Sequence, residues 1–562
     1  MTASADRKAK VSLRVVVQDS AVASTGFDLT EGIQLANEDF YLDGPVSRRV
    51  AVLAFDPDTG AVVPGVPFTP GKVVGKYPAF TERPKSAAAF SKFVRVNAYG
   101  LVLRTMNLYE NPDVLGRKVT WGFDGPQLLV LPLAGQDENA FYERESRSLQ
   151  FFSFPAHNGS GDVHTALSRD IVAHETGHAI LDGIAPDLYS ALTPQSLALH
   201  EAIADITALH LALRSGELVE KVLAASDFEL AGSTPFNAIA EEFGRGRGTN
   251  GSLRRLDHDK TLDDVSPTSP HELSQVLSGA LWSLLCHLYD EDRTRYPPAS
   301  PSQADRAAAA GKTMGIVAGR FRRITLRGLD HLPPGEVSFA DYARVLLEAD
   351  GAGFPDESAM RTWFAEELVR REVVASADLL DVPAPEPALA DLADVDLGLL
   401  EDNDWAAYQF VEQRREALAI PADAPFVIRP RRRVHKRVGS KADEKFFDEL
   451  LVQVSWQHEE DNLRTPGQPP RRTITLGITL VIDVEAKRLR AVLRSSDAKA
   501  MREERDGFLQ HLVDDGLLKV GPAAFGPMET LRPRTVAAES DGEVLRVLDT
   551  ARCLHLVGDD DA

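Results

Sequence analysis

Cysteine is scarce in this sequence, and its scarcity excludes two kinds of protein. Only Cys286 and Cys553 occur among the 562 residues. Two thiols so far apart do not form the disulfide framework of a small secreted domain. They also cannot supply a zinc site built from cysteines, so a metal site in this chain would need other ligands.

Long apolar runs are absent as well. No stretch approaches the ~18 consecutive apolar residues of a transmembrane helix, and we expect no membrane contact. Near the N-terminus, residues 11–17 alternate between apolar and polar side chains and form too short a run for a signal peptide. We therefore expect a cytoplasmic protein, with export by a route that cleaves no signal as the alternative.

Positive charge is in short supply. Lysine and arginine number 62 against 84 aspartates and glutamates, which gives a formal net charge of −22. A surface this acidic repels phosphate backbones, so we exclude nucleic acid as the main partner. The hydrophobic share of 43% is typical of globular proteins.

The chain is too long for one hydrophobic core, which rarely exceeds ~250–300 residues. We expect an α+β protein with a β-rich N-terminal region (1–92), a central domain (93–372), an acidic linker (373–404) and an α+β C-terminal domain (405–562). Alternating or continuous apolar residues predict strands at residues 11–17 and 49–55, and strand-like runs continue through residues 93–154. Helical periodicity marks residues 166–213, 270–290, 303–325, 338–349 and 357–372.

Two segments of opposite charge flank the start of the last domain. Residues 373–412 contain no lysine or arginine and include three closely spaced prolines, which indicates a linker or a covering segment. Residues 429–437 read RPRRRVHKR. We interpret this run as an exposed connector or as a docking patch for an acidic partner, such as the acidic segment of the same chain. Further on, residues 474–482 and 489–493 predict a β-hairpin.

One motif carries metal chemistry. His174, Glu175 and His178 form an H-E-x-x-H pattern. On a helix the two histidines are one turn apart on the same face, where two imidazoles can bind one zinc ion. Glu175 follows the first histidine and can reach a water molecule beside the metal without being a ligand.

The next helical segment offers a third ligand. Glu201 follows His178 by 23 residues, which is enough for one helix to end and a second to pack against it. Asp205 is one turn beyond Glu201 and can accept the free ring N–H of a ligand histidine. Alone, such an acidic pair is common on solvated helix faces. It indicates a metal ligand here only because it follows the histidine motif.

Together these motifs resemble those of the thermolysin-type gluzincin metallopeptidases. The resemblance implies that His174, His178 and Glu201 bind one Zn²⁺, that Glu175 is the general base and that Asp205 supports a ligand histidine. It also implies a zincin core within residues 93–372, with a β-rich N-terminal lobe, a helical C-terminal lobe and the zinc cleft between them. Other positions match the family too. By the resemblance, Tyr189 and His271 would stabilise the oxyanion. The substrate backbone would be bound by Asn139, Ala140 and Arg254. An apolar pocket would be lined by Ile171 and Leu253.

Several positions depart from the family pattern or stay open. His200 replaces an asparagine and could still hold His178, while Asp170 would lie behind the ligands. An acidic calcium ligand is missing after Asp205, so we expect no structural calcium. His258 is the rival of His271 for the oxyanion role. Either Asp263 or Asp264 would orient His271, and Arg255 could take the place of Arg254.

The resemblance implies a zinc-dependent metalloendopeptidase that hydrolyses polypeptides and prefers a bulky apolar residue after the cleaved bond. Two alternatives remain. The enzyme could be a dedicated processing protease or delivered effector, with a protein partner bound through the C-terminal domain. Otherwise the chain could be a catalytically inactive zincin-fold binding protein.

Overall fold

The fold is of the mixed α+β class. A computed structural model describes residues 9–17, 30–56, 59–159, 161–230, 236–240, 244, 247, 254–438, 445–461, 471–496, 498–515, 518–522, 535–540 and 543–547. Leu253 and Cys553 lie outside these ranges.

The described N-terminal part contains two larger sheets, one two-stranded sheet and one long helix. Its elements are β1 (Lys10–Val16), β2 (Thr30–Leu35), β3 (Val50–Val52), β4 (Val74–Lys76), α1 (Ala87–Tyr109), β5 (Leu128–Leu131), β6 (Ala140–Glu143), β7 (Ser148–Phe151), β8 (Ser153–Pro155) and β9 (Asp162–His164). The first sheet has the order β2-β1-β4, and the second has the order β3-β5-β7-β6. Strand β6 runs antiparallel to β7 at the edge of its sheet. The pair β8–β9 is separate.

Helix α1 contradicts part of the sequence prediction. Strand-like runs were expected from residue 93 onward, but residues 93–109 are helical. Ser86 caps this helix, since its side chain accepts a hydrogen bond from the N–H of Ala89. Every residue from Phe93 to Met106 is buried, so the helix has no polar face and no 3.6-residue periodicity to reveal it.

The helical part follows the predicted periodicity. Its elements are α2 (Arg169–Ile184), α3 (Pro194–Ala212), α4 (Gly216–Ala225), β10 (Ala238–Ile239), β11 (Arg254–Arg255), α5 (Pro270–Arg295), α6 (Gln303–Leu326), α7 (Phe339–Gly353) and α8 (Ser358–Arg370). Serine side chains cap four of these helices, at Ser168, Ser269, Ser302 and Ser338. No single described helix is long and apolar enough to cross a membrane. Helices α3 and α4 pass that test of length and composition only as a pair, bent by 92°.

The C-terminal part is built on a five-stranded sheet. Its elements are α9 (Pro387–Ala390), α10 (Leu397–Asp402), α11 (Asp404–Glu412), β12 (Phe426–Ile428), β13 (Arg432–Val438), β14 (Lys445–Asp461), β15 (Arg471–Asp483), β16 (Arg488–Arg494), α12 (Arg502–Asp514), β17 (Leu518–Pro522), β18 (Thr535–Ser540) and β19 (Glu543–Val547). Strands β12 and β13 pair with successive stretches of β14, and β15–β16 is the predicted hairpin. Strands β17, β19 and β18 form a small sheet of their own.

Both faces of the five-stranded sheet are covered. Alternate residues such as Leu451 and Val481 join the main hydrophobic core of the chain. Their neighbours Leu450 and Leu480 join a second cluster that contains the leucines of the acidic segment. The acidic segment therefore covers the outer face of the sheet, and the inner face packs on the rest of the protein.

The basic run is not an exposed connector, contrary to the first interpretation of its sequence. Residues 432–438 form β13, which pairs with β14. Arg431 lies 2.6 Å from a carboxylate oxygen of Asp404, and Arg433 lies 3.1 Å from one of Glu401. The run thus docks on the acidic segment of its own chain, as the second interpretation proposed.

Candidate metal centre

Helices α2 and α3 bring three potential metal ligands together. His174 Nε2 and His178 Nε2 are 3.0 Å apart, and they lie 3.4 and 3.3 Å from the two carboxylate oxygens of Glu201. All three residues are buried. Four-coordinate zinc with bonds of about 2.0–2.1 Å separates its ligand atoms by about 3.3–3.4 Å. The distances to Glu201 match this separation and the distance between the histidine nitrogens is somewhat shorter, so the three side chains could hold one metal ion.

A glycine between the two histidines allows the helices to approach. A methyl group built on Gly177 would lie 3.1 Å from the hydroxyl of Thr207 and 3.2 Å from the Cα of Ala204 on α3. These distances are tighter than ordinary contacts, so a larger residue would push α3 away. The glycine of the motif thus helps to bring Glu201 within reach of both histidines.

Two residues on α3 hold the imidazoles from behind. Asp205 Oδ1 lies 2.9 Å from His174 Nδ1, and His200 Nδ1 lies 2.7 Å from His178 Nδ1. Burial and then the neighbouring His178 lower the pKa of His200 well below its ordinary value, so His200 stays neutral and can accept the N–H of His178. Both partners leave the Nε2 lone pairs directed at the metal position.

Asp170 does not join this arrangement. Its carboxylate accepts hydrogen bonds from Arg169 at 3.0 and 2.6 Å. Arg169 also donates to the carbonyl oxygen of Val17 at 2.6 Å. The expectation that Asp170 supports the ligands is wrong, because this pair fastens the start of α2 to the N-terminal region instead.

Glu175 lies beside the ligands and contacts the edge strand. One of its carboxylate oxygens accepts the backbone N–H of Tyr142 in β6 at 3.0 Å. Burial raises the pKa of Glu175 to about 8, with Coulombic attraction from His174 opposing the shift. A raised pKa makes a carboxylate a stronger proton acceptor, which suits a general base.

Strand β6 presents one edge to this site. The N–H groups of Tyr142 and Arg144 point away from β7, toward Glu175 and toward the hydroxyl of Tyr189 at 3.5 Å. Ahead of them, the side-chain oxygen of Asn139 accepts the N–H of Ala140 at 2.9 Å. The edge of a sheet can pair with an extended peptide, so this strand is a candidate for substrate binding.

The two predicted oxyanion donors have different surroundings. His271, near the start of α5, has its Nδ1 3.3 Å from a carboxylate oxygen of Glu201. Tyr189 is buried behind β6, with its ring centre 6.2 Å from that of His200. The rival His258 contacts Gly279 instead of the ligands, and burial lowers its pKa to about 4.

The predicted orienting aspartates have other partners. The carboxylate of Asp264 closes a capping box with Thr261, and the backbone N–H of Asp263 bonds to Glu372 at 3.3 Å. These two contacts do not involve His271.

Arg254 contacts the metal centre from an unexpected side. Its guanidinium donates to both carboxylate oxygens of Asp205 at 3.1 and 2.8 Å, and its Nη2 lies 3.3 Å from His174 Nδ1. The resemblance implied that Arg254 binds a substrate carbonyl, but these contacts neutralise Asp205. Ile171 is buried in the first turn of α2. Arg255 pairs with Asp257 at 2.6 Å.

Sequence reasoning missed Asp182, which links α2 to β6. This fully buried carboxylate lies one turn after His178 and accepts the hydroxyl of Tyr142 at 2.6 Å. Arg144 donates to it as well, from Nε at 3.0 Å, while its guanidinium carbon lies 4.4 Å from the ring centre of Tyr189. A single carboxylate after the apolar run Ala-Ile-Leu was the signal that could have revealed it.

Across the described part of the chain, His174, His178 and Glu201 are the group of side chains whose spacing could hold a metal ion. Two imidazoles and one carboxylate are a ligand set that suits zinc. No protein-family model matches the chain, and no curated protein matches it. Its function therefore has to be inferred from the chemistry of this site.

Proposed function

We propose that this protein is a zinc-dependent metalloendopeptidase of the zincin type. The observation that carries the proposal is the close grouping of His174, His178 and Glu201, with Glu175 beside them. A zinc ion held by these three ligands would polarise a carbonyl group and lower the pKa of a water molecule.

Glu175 performs the proton transfers in this proposal. Its carboxylate accepts a proton from the attacking water and then delivers it to the nitrogen of the departing amine. The N–H of Tyr142 holds one carboxylate oxygen, which fixes the direction of the other. Burial of Glu175 excludes bulk water and raises its pKa, which makes its carboxylate a stronger base than that of an exposed glutamate.

The edge of β6 binds the substrate in an extended conformation. Backbone groups of Ala140 and Tyr142 lie on the side of this strand that faces α2, so a paired peptide would lie between the strand and the ligand histidines. His271 is the candidate donor to the developing oxyanion because its ring lies next to Glu201. The substrate class is a polypeptide.

One observation favours a non-catalytic metal site as the second candidate. His271 Nδ1 is 3.3 Å from one carboxylate oxygen of Glu201, the same distance as His178 Nε2 from the other oxygen. A fourth protein ligand would close the tetrahedron and leave no position for water, as in structural zinc sites. The chain would then be a zincin-fold binding protein.

Zinc quantification and peptide hydrolysis test the proposal on the full chain. We expect about one zinc per chain in the wild type and in Glu175→Gln, with hydrolysis of unfolded casein reduced by ~10²- to 10⁴-fold in the variant. Glutamine keeps the size of the side chain and an oxygen for the N–H of Tyr142. Glu217→Gln, a half-exposed glutamate on α4, is the matched control and should retain activity. Full hydrolysis by Glu175→Gln, or none by the wild type, would reject the mechanism.

A further inference from the structure

The C-terminal part has no role in the proposed reaction, yet its basic run (residues 429–437) reaches the helix that carries both ligand histidines. Arg432 donates to the carbonyl oxygen of Ile184 at 3.1 Å, and its other terminal nitrogen lies 3.5 Å from that of Gly183. These residues end α2, where the last carbonyl groups have no partner within the helix. A cation is also favourable at this end of the helix dipole.

A second arginine of the basic run holds the loop that follows α2. Arg429 lies 3.1 and 3.0 Å from the two carboxylate oxygens of Asp187. The same carboxylate accepts the backbone N–H of Gly335 at 2.9 Å. The end of α2 and the first residues after it are thus fixed by the C-terminal part, two residues before Tyr189.

Buried charges make this attachment rigid. Lys436 is fully buried, donates to the carbonyl oxygen of Arg327 at 2.9 Å and lies 3.6 Å from Glu449. Asp330 is also fully buried, between Arg117 and Arg432. Separating such ion pairs would leave uncompensated charges, so the sheet cannot swing freely away from the helices.

Strand geometry separates the two sides of the basic run. Successive side chains of β13 point to opposite faces, so Arg432 faces α2 while Arg433 faces outward. Arg433 pairs with Asp448 at 2.5 Å and is more exposed than Arg432. The strand therefore supplies a matched pair of arginines, one in contact with the metal-binding helix and one not.

We propose that the C-terminal sheet braces the metal centre and that Arg432 is a positioning residue for α2. By holding the carbonyl groups of Gly183 and Ile184, Arg432 fixes the end of a helix in which His178 lies about 9 Å further back. This inference rests on the proposed zinc site, but it does not require that the site hydrolyse peptides.

The test compares the full-length Arg432→Gln and Arg433→Gln variants. Zinc affinity is measured by competition with a chelator, and amide hydrogen exchange is followed over residues 178–188 without added metal. For Arg432→Gln we expect about 3- to 10-fold weaker zinc binding, less than the 10–100-fold typical of residues that contact a ligand directly. Exchange at the end of α2 should be faster in this variant, while Arg433→Gln should match the wild type.

Equal zinc affinity and equal exchange in both variants would overturn the inference. If Arg432→Gln does not fold, Arg432→Lys decides the matter, because lysine keeps the charge but loses the fork of donors. Intermediate zinc affinity in Arg432→Lys supports the brace, and wild-type affinity with wild-type exchange contradicts it. A wild type that binds zinc but cleaves no peptide would reject the proposed peptidase and leave this result unaffected.

Discussion

Asp330 joins the C-terminal sheet to the helical part, and its charge can be removed without changing its size. The carboxylate is fully buried and accepts a hydrogen bond from Arg117 Nε at 3.2 Å. Arg432 Nη1 lies 3.8 Å from the same carboxylate. Burial alone would raise the pKa of Asp330, but the nearby cations Arg117, Lys436 and Arg432 outweigh it and lower the pKa to about 2. Asp330→Asn removes the charge that these cations stabilise.

The expected magnitude follows from the pKa shift. A fall from an ordinary value near 3.9 to about 2 corresponds to about 2.5 kcal/mol of folding free energy at neutral pH. The pKa is lowered in the folded state, so this stabilisation is complete above about pH 4 and disappears as the pH falls through 2. About half of it should remain at pH 3.

Urea unfolding followed by tryptophan fluorescence measures the effect at pH 7, 5 and 3. We expect Asp330→Asn to be less stable than the wild type by about 2 kcal/mol or more at pH 7, because Lys436 and Arg432 lose their buried partner. The difference should shrink by about 1 kcal/mol at pH 3. The control is Asp404→Asn, which removes the exposed partner of Arg431 and should change stability little. A difference between wild type and Asp330→Asn that stays constant from pH 7 to pH 3 would refute the reasoning.

Two further predictions concern the metal centre. Asp182→Asn should leave the zinc content unchanged but raise KM more for long peptides than for dipeptide substrates. The reason is that Asp182 holds Tyr142 and Arg144 at the strand proposed to bind the substrate. An equal change in KM for both peptide lengths would indicate a purely structural role. His271→Ala separates the two candidate functions. A catalytic histidine predicts lower kcat with zinc affinity retained, whereas a fourth ligand predicts zinc affinity weakened by at least 10-fold, as for partners of a metal site.

The grouping of His174, His178 and Glu201 was predictable because the spacing of these residues is local. His174 and His178 are one turn apart, and Glu201 lies on the next helix, so helical geometry and one short connection bring them together. The helices with serine caps and the β15–β16 hairpin were predictable for the same reason. In each case the signal is contained within about 30 residues of sequence.

Contacts between distant segments could not be read in this way. The family resemblance implied that Arg254 binds substrate backbone, but it pairs with Asp205, 49 residues away. The role of Asp182 depends on the contact between β6 and α2, which the sequence does not reveal. Helix α1 was missed for another reason, since a helix buried on all sides loses the periodicity by which helices are predicted.

The net charge of −22 and the short basic run have one physical explanation in common. In a chain with excess carboxylates, a cluster of cations finds its partners within the chain, and the cations of residues 429–437 do so in five different regions. Their carboxylate partners are Asp113, Asp187, Asp330, Asp404, Asp448 and Glu449. A basic run occupied in this way is not a free surface for an external acidic protein. It is instead the attachment of the C-terminal sheet to α2, and charge complementarity within the chain specifies where that attachment forms.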